Sequence, residues 1–197
     1  MKTKTKLKPQ SENQIAMWTS DFFMPQTSRL LQWIGGVNNE NLEKTLSNIA
    51  ALMKEDATSE IQLLINSHGG ATGIGMAFYD SVRSLLKVNL TTIGTGDVNS
   101  SGVTILLSGK KRYLTKNTTI LLHLAGRTFG TEKRFSTLDM EDILKEDKVK
   151  DYQYACVVSN ATEGRFSPEK VLELMRLNTV LTAEEAVQMG LADKVLE

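Results

Sequence analysis

The sequence predicts an α/β fold, and three observations lead to that prediction. Short apolar runs of strand length alternate with longer segments in which apolar residues recur at helical spacing. Glycines follow several of the apolar runs, which indicates that these strands end in tight turns. Alternation of strands and helices is typical of parallel βαβ units with right-handed crossovers.

The elements follow one another in a regular order. We predict strands at residues 30–34, 61–65, 90–93, 111–114 and 119–122. We predict helices from residue 41 to about 53, from 74 to 86, from 103 to 107 and from about 138 to 158, with two more near the end of the chain. Ser136 with Asp139 and Thr182 with Glu185 have the capping-box spacing, and Ser167-Pro168 is a cap followed by proline in the first turn. The helix over 138–158 spans about 30 Å, more than a small core needs, so it could project and contact another subunit.

Length and composition limit the classes of protein to consider. A chain of 197 residues is one domain, and residues 1–28, which lack steady periodicity, are expected to form a partly flexible arm. With 23 basic and 23 acidic residues the formal net charge is zero, so we expect no nucleic-acid partner. We see neither a secretory signal nor a membrane-length apolar run, and Cys156 is the only cysteine. We therefore expect a soluble, cytoplasmic protein.

Candidate chemical groups follow three of the predicted strands. The glycine-rich stretch "SHGGATG", which contains His68, follows the strand at 61–65; Ser100 follows the strand at 90–93, and His123 follows the strand at 119–122. Carboxyl ends of parallel strands meet at one edge of a sheet, where α/β proteins assemble their sites. The sequence thus brings a glycine pair, a serine and a histidine to one edge.

Several other motifs are excluded by spacing. The glycines at 69, 70, 73 and 75 do not satisfy the dinucleotide fingerprint, and Thr104 stands where a phosphate-binding loop needs its first glycine. Val98 excludes the nucleophile elbow of the α/β-hydrolases, and no histidine–cysteine cluster has metal-ligand spacing. We expect neither a metal nor a cofactor.

The remaining groups suit acyl transfer. A serine hydroxyl needs a base to accept its proton, and the base needs a third group to orient it. The oxyanion needs backbone donors, which the glycine turn and the N–H of Ser101 could supply.

The sequence resembles the proteolytic subunit of the ATP-dependent Clp protease. The matching segments are "IQLLINSHGGATGIGMAFYD" (61–80), "GDVNSSG" (96–102), "KRYLTKNTTILLH" (111–123) and "LTAEEAVQMGLADKV" (181–195). The resemblance covers about residues 29–195 and is weakest over 124–165. It implies a Clp-protease/crotonase-like fold, in which repeated ββα units form a mostly parallel sheet. The resemblance also implies a single domain over 29–197. Within that domain a strand–helix handle at about 124–160 is expected to project.

The resemblance also implies the roles of the site residues. The nucleophile falls on Ser100 and the base on His123, and the oxyanion donors fall on the N–H groups of Gly70 and Ser101. The third member of the triad is usually aspartate in the family, and Asn178 occupies its position here. An amide oxygen can orient the imidazole but stabilises its cation less than a carboxylate does. The alternative interpretation is that Asn178 orders a turn and the triad is incomplete.

Two further departures concern the substrate side. His68, beside Gly69, replaces the proline of the family's "NSPGG", and is either a surface turn residue or a polar group close to substrate. The stretch from His123 to Asn178 is longer than usual, and the base is followed by "LA" where the family has "QP". These differences leave ring stacking and substrate preference open.

The sequence therefore predicts a serine endopeptidase that hydrolyses unfolded proteins and peptides. The resemblance implies stacked heptameric rings of this chain, fed by an AAA+ unfoldase that binds the ATP in place of this chain. Three alternatives stay open: a silent or weakly active ring subunit, a phage-type processing protease, and an acyl-CoA enzyme on the crotonase-like fold.

Overall fold

The computed structural model describes residues 23–130 and 134–196. These residues form a seven-stranded sheet and six α-helices, which confirms the α/β class. The strands are β1 (Leu30–Ile34), β2 (Ile61–Ser67), β3 (Leu90–Asn99), β4 (Lys111–Thr115), β5 (Thr119–Leu122), β6 (Thr179–Thr182) and β7 (Lys194–Leu196). The helices are α1 (Asn39–Glu55), α2 (Thr72–Asp80), α3 (Gly102–Leu107), α4 (Thr137–Ala161), α5 (Pro168–Arg176) and α6 (Ala183–Met189). Most of the predicted arm at 1–28 lies outside the described residues.

The sheet is parallel except for one strand pair. Its main path runs β1-β2-β3-β4-β7, and every pair along it is parallel. β5 lies beside the second half of β3, and β6 pairs with β5 in the antiparallel direction. The carboxyl ends of β2, β3 and β5 consequently meet at one edge, as the sequence predicts.

The predicted end of the third strand at residue 93 is wrong. β3 runs on to Asn99, first beside β4 over residues 91–94 and then beside β5 over residues 97–99. Its register with β2 advances from Ile65↔Gly94 to Ser67↔Val98, so β3 contains a bulge, and within it Gly96 has a φ of +63°. A bulge bends a strand without ending it. The bend carries Ser100 to the neighbourhood of β5.

The core anchors the turn that carries Ser100. Every residue of α3 is buried, although this helix directly follows Ser100 and Ser101. Trp33 of β1 packs edge-to-face on Phe78 of α2 with 5.2 Å between ring centroids, and both side chains are fully buried. The site thus rests on buried elements that do not move freely.

Helix α4 has two halves of different character. The predicted capping box of Ser136 and Asp139 is present at its start. The first half exposes large apolar side chains, whereas the second half is buried from Tyr154 to Ser159, apart from the partly buried Cys156. Only the second half of α4 therefore belongs to the core.

Two short strands were missed by the sequence analysis. β6 lies between α5 and α6, and β7 lies near the end of the chain; each has too few residues to show a clear alternation. The caps predicted at Ser167 and at Thr182 with Glu185 are both present. None of the helices in the described part of the chain is long and apolar enough to cross a membrane.

Candidate active site

Ser100 lies in a sharp turn between β3 and α3. Its φ is +54°, a left-handed conformation that costs a non-glycine residue about 1–3 kcal/mol. Its N–H donates to the Leu121 carbonyl at 2.8 Å, and its carbonyl accepts from the Val103 N–H at 2.9 Å and the Tyr154 hydroxyl at 3.1 Å. These three hydrogen bonds hold the serine in a conformation that it would not adopt alone.

The glycine turn after β2 packs directly against Ser100. A Cβ placed on Gly69 would lie 2.7 Å from the Ser100 Cβ and 3.2 Å from its Oγ. Gly70 lies equally close to Val37, because a Cβ there would be 2.5 Å from the Val37 carbonyl oxygen. Their φ angles of +98° and +152° disfavour any side chain as well. Both positions therefore require glycine.

The two predicted oxyanion donors form no hydrogen bond with the residues that the structure describes. Val37 donates to the Gly69 carbonyl and accepts from the Ala71 N–H, so the Gly70 N–H between them is left out of the pairing. The N–H of Ser101, at the start of α3, likewise donates in none of the hydrogen bonds found in the described part of the chain. Gly70 is exposed, whereas Ser101 is buried.

His123 follows β5 and is half-buried. Its Nδ1 lies 2.6 Å from the Leu124 carbonyl oxygen, which can only accept, so Nδ1 carries the proton. Nε2 is then left as the basic nitrogen, which is the tautomer that a serine's general base needs. No hydrogen bond joins these two described residues, Ser100 and His123, and such bonds often tighten only when substrate is bound.

Asn178 directly precedes β6, and His123 directly follows β5. These two strands pair from Thr119↔Thr182 to Leu122↔Thr179, so the two residues lie just beyond the same end of the strand pair. Asn178 is exposed, has a φ of +49°, and its N–H donates to the Met175 carbonyl at the end of α5. Asn178 therefore forms a left-handed turn after α5, and its role as the third member of a triad stays a prediction.

The ring of His68 lies close to Gly36, in the turn after β1. It is exposed, and its ring atoms lie 3.8 Å from the point where a Cβ on Gly36 would stand. The ring thus covers the turn after β1. Both interpretations of His68 made from the sequence stay open.

Tyr154 of α4 holds the Ser100 turn and was not among the residues predicted from the sequence. Its side chain is buried, and burial raises the pKa of its phenol. A buried tyrosine hydroxyl needs a partner, and the Ser100 carbonyl is that partner. No spacing in the sequence links two residues so far apart.

We expect Tyr154→Phe to weaken the site without unfolding the protein. The change removes one hydrogen bond, worth about 1 kcal/mol, from the strained Ser100 turn. The melting temperature should fall by a few degrees, about 2–4 °C, while hydrolysis falls several-fold. A thermal melt and a peptidase assay check this, and unchanged activity would contradict a supporting role.

The arrangement defines a class of enzyme. A serine in a strained turn against a glycine pair, and a histidine whose Nδ1 is hydrogen-bonded, suit acyl transfer by a serine hydrolase. A family model described as Clp protease matches residues 15–197. The chain therefore belongs to the Clp protease family, and it is a serine-protease hydrolase.

Relatives with curated names agree with this family. The chain is 31% identical over 175 residues to "ATP-dependent Clp protease proteolytic subunit 2" of Tropheryma whipplei, covering 85% of this chain and 93% of the relative. It is 33% identical over 177 residues to the protein of the same name from Chlamydia trachomatis serovar D, covering 86% and 83%. A proteolytic subunit 1 from Leifsonia xyli is 32% identical over 168 residues, covering 84% and 82%.

Proposed function

We propose that this chain is an active endopeptidase subunit that hydrolyses peptide bonds of unfolded proteins and peptides at Ser100. The observation that carries the proposal is the contact between the left-handed Ser100 turn and the Gly69-Gly70 turn. That contact supports the proposal because the Gly70 and Ser101 N–H groups, each next in sequence to a residue of the contact, donate in none of the hydrogen bonds found in the described chain.

The reaction follows from these groups. Ser100 Oγ attacks the scissile carbonyl while its proton passes to Nε2 of His123. The Gly70 and Ser101 N–H groups hold the oxygen that becomes negative. His123 then gives the proton to the leaving amine, and water releases the acyl group by the same steps in reverse order. Asn178 would serve as a neutral orienting group by accepting the Nδ1 proton of His123, which the Leu124 carbonyl accepts in this structure.

We further propose that copies of this chain assemble into stacked heptameric rings in the cytoplasm. The first half of α4 supports this proposal, because it exposes Leu138, Met140, Leu144 and Val149 on a segment outside the core. An AAA+ unfoldase would supply unfolded chains and bind the ATP, and the proposed chemistry of this chain needs no cofactor.

A silent ring subunit is the second candidate. Asn178 favours this candidate, because it is exposed and neutral at the position where the Clp protease family usually has aspartate. A neutral amide stabilises the imidazolium of the base less than a carboxylate does.

Labelling with a fluorophosphonate, followed by intact-mass analysis, distinguishes the two candidates. We expect one adduct per chain in the wild type and none in Ser100→Ala, since only an activated serine reacts at a useful rate. Ser101→Ala is the matched control, because its buried Oγ has no hydrogen-bond partner and its N–H is retained. It should still form the adduct.

The alternative results are equally clear. No adduct on folded, assembled wild-type protein would favour the silent subunit. An adduct that is lost in Ser101→Ala but kept in Ser100→Ala would show that the nucleophile is assigned to the wrong serine.

A further inference from the structure

The peptide unit between Leu124 and Ala125 connects His123 to a carboxylate on α4. Its carbonyl oxygen lies 2.6 Å from His123 Nδ1 and accepts the Nδ1 proton. Its N–H donates to Asp151 Oδ1 at 2.8 Å. Both hydrogen bonds use the same planar group. The imidazole, the peptide unit and the carboxylate are therefore joined by two consecutive hydrogen bonds.

Asp151 lies where the projecting half of α4 meets the core, and it is half-buried. Burial raises the pKa of its carboxyl, the Ala125 N–H lowers it, Asp147 raises it and the charge of His123 lowers it. Asp147 and His123 are the charged groups that act on it within the described chain. Arg127, the nearby cation on the same segment as Ala125, pairs with Asp147 and Glu146 instead.

We propose that Asp151 is a positioning residue for His123 and acts through the Leu124–Ala125 peptide unit. The carboxylate polarises that peptide, so its carbonyl becomes a better acceptor for the Nδ1 proton. This keeps the ring in the tautomer with a free Nε2 and stabilises the imidazolium that forms when Ser100 gives up its proton. No proton crosses the peptide: the Ser100 proton goes to Nε2 and leaves from Nε2. The proposal rests on the role of His123 as base.

Two features of the chain make this arrangement useful. Asn178 is neutral, so it cannot supply the negative charge that stabilises the imidazolium of His123. The carboxylate of Asp151 supplies that charge instead. Asp151 and Tyr154 also lie three residues apart on one face of α4, and Tyr154 holds the Ser100 carbonyl. One helix thus positions both the nucleophile and the base.

The test compares Asp151→Asn with Asp147→Asn in the full-length protein. An asparagine Oδ1 can still accept from the Ala125 N–H, so Asp151→Asn removes the charge and leaves the hydrogen bond in place. Asp147→Asn removes an equal charge one helical turn away. The Asp147 carboxylate contacts Arg127 and not the Leu124–Ala125 peptide unit. The first readout is the pH dependence of kcat and KM for a peptide substrate.

The second readout does not need peptidase activity. Diethyl pyrocarbonate modifies neutral imidazole, and peptide mass spectrometry separates His123 from His68, the other histidine of the chain. The pH dependence of the modification rate then follows the charge of His123 alone. His68 is the internal control.

For Asp151→Asn we expect kcat at neutral pH to fall about 3- to 10-fold with KM unchanged, because the imidazolium loses a nearby opposite charge. The acid limb of the rate profile and the His123 modification curve should both move to lower pH by about 0.5–1 unit. Asp147→Asn should move them less, and the His68 curve should stay in place. This combination supports the proposal.

An unmoved His123 curve in Asp151→Asn would overturn the proposal, as would an equal movement in Asp147→Asn. If wild-type Ser100 forms no fluorophosphonate adduct while the His123 curve still moves as expected, the peptidase assignment fails and the link between Asp151 and His123 stands.

Discussion

Gly70→Ala is expected to reduce peptidase activity at least 100-fold, because the loss of one oxyanion donor typically costs about 10²–10³ in rate. The new Cβ would lie 2.5 Å from the Val37 carbonyl oxygen and 2.9 Å from the Val37 nitrogen, and both are backbone atoms that cannot rotate away. The turn must therefore shift, and the Gly70 N–H turns with it. The φ of +152° adds strain for any L-residue other than glycine.

Gly73→Ala is the matched control for this prediction. Gly73 lies in α2, has nothing within 4 Å of a Cβ and has no positive φ. Alanine there should preserve activity and raise stability slightly, by up to about 1 kcal/mol, because alanine favours helices. The measurements are kcat/KM and a thermal melt of both variants. A folded Gly70→Ala protein with wild-type activity would rule out the Gly70 amide as an oxyanion donor.

The convergence of the site could be predicted from the sequence because it depends on strand order. Ser100, His123 and the Gly69-Gly70 pair each follow an apolar run, and parallel strands bring their carboxyl ends together. That reasoning needs no knowledge of the exact path of β3. The Gly69 turn does contact Ser100, although the strand was predicted to end at residue 93, well before the observed end at Asn99.

The contacts made by α4 could not be predicted in the same way. The helix itself was predicted, with its capping box at Ser136. However, Tyr154 contacts Ser100 and Asp151 contacts Ala125 across long separations in sequence that no local spacing encodes. These contacts depend on where the buried half of the helix lies, and that position is decided by packing of the whole core.

β6 was missed for a physical reason that bears on Asn178. β6 (Thr179–Thr182) has no fully buried residue, so its sequence lacks the apolar run that predicts a strand. Within the described chain it pairs with β5 alone. The short strand fixes the register with β5 up to the pair Leu122↔Thr179, next to which Asn178 and His123 lie in sequence. The left-handed φ of Asn178 has a separate origin in the end of α5, so the residue serves a turn whether or not it serves the histidine.

Asn178→Asp is expected to raise kcat/KM about tenfold, because a hydrogen bond to a charged acceptor is worth about 1.4 kcal/mol more than one to a neutral amide. Aspartate tolerates the left-handed conformation as well as asparagine does, so the turn after α5 is preserved. The new carboxylate competes with the Leu124 carbonyl for the Nδ1 proton of His123. Steady-state kinetics across pH measures the gain.

The double variant Asn178→Asp with Asp151→Asn shows how the two carboxylates share this role. If residue 178 takes over the histidine, the loss caused by Asp151→Asn should shrink to less than about twofold in the Asn178→Asp background, because coupled residues are not additive. Equal losses in both backgrounds would mean that the two positions act independently. A collapse of activity in a folded Asn178→Asp protein would contradict the orienting position of Asn178, since a carboxylate there can only strengthen the hold on a correctly placed imidazole.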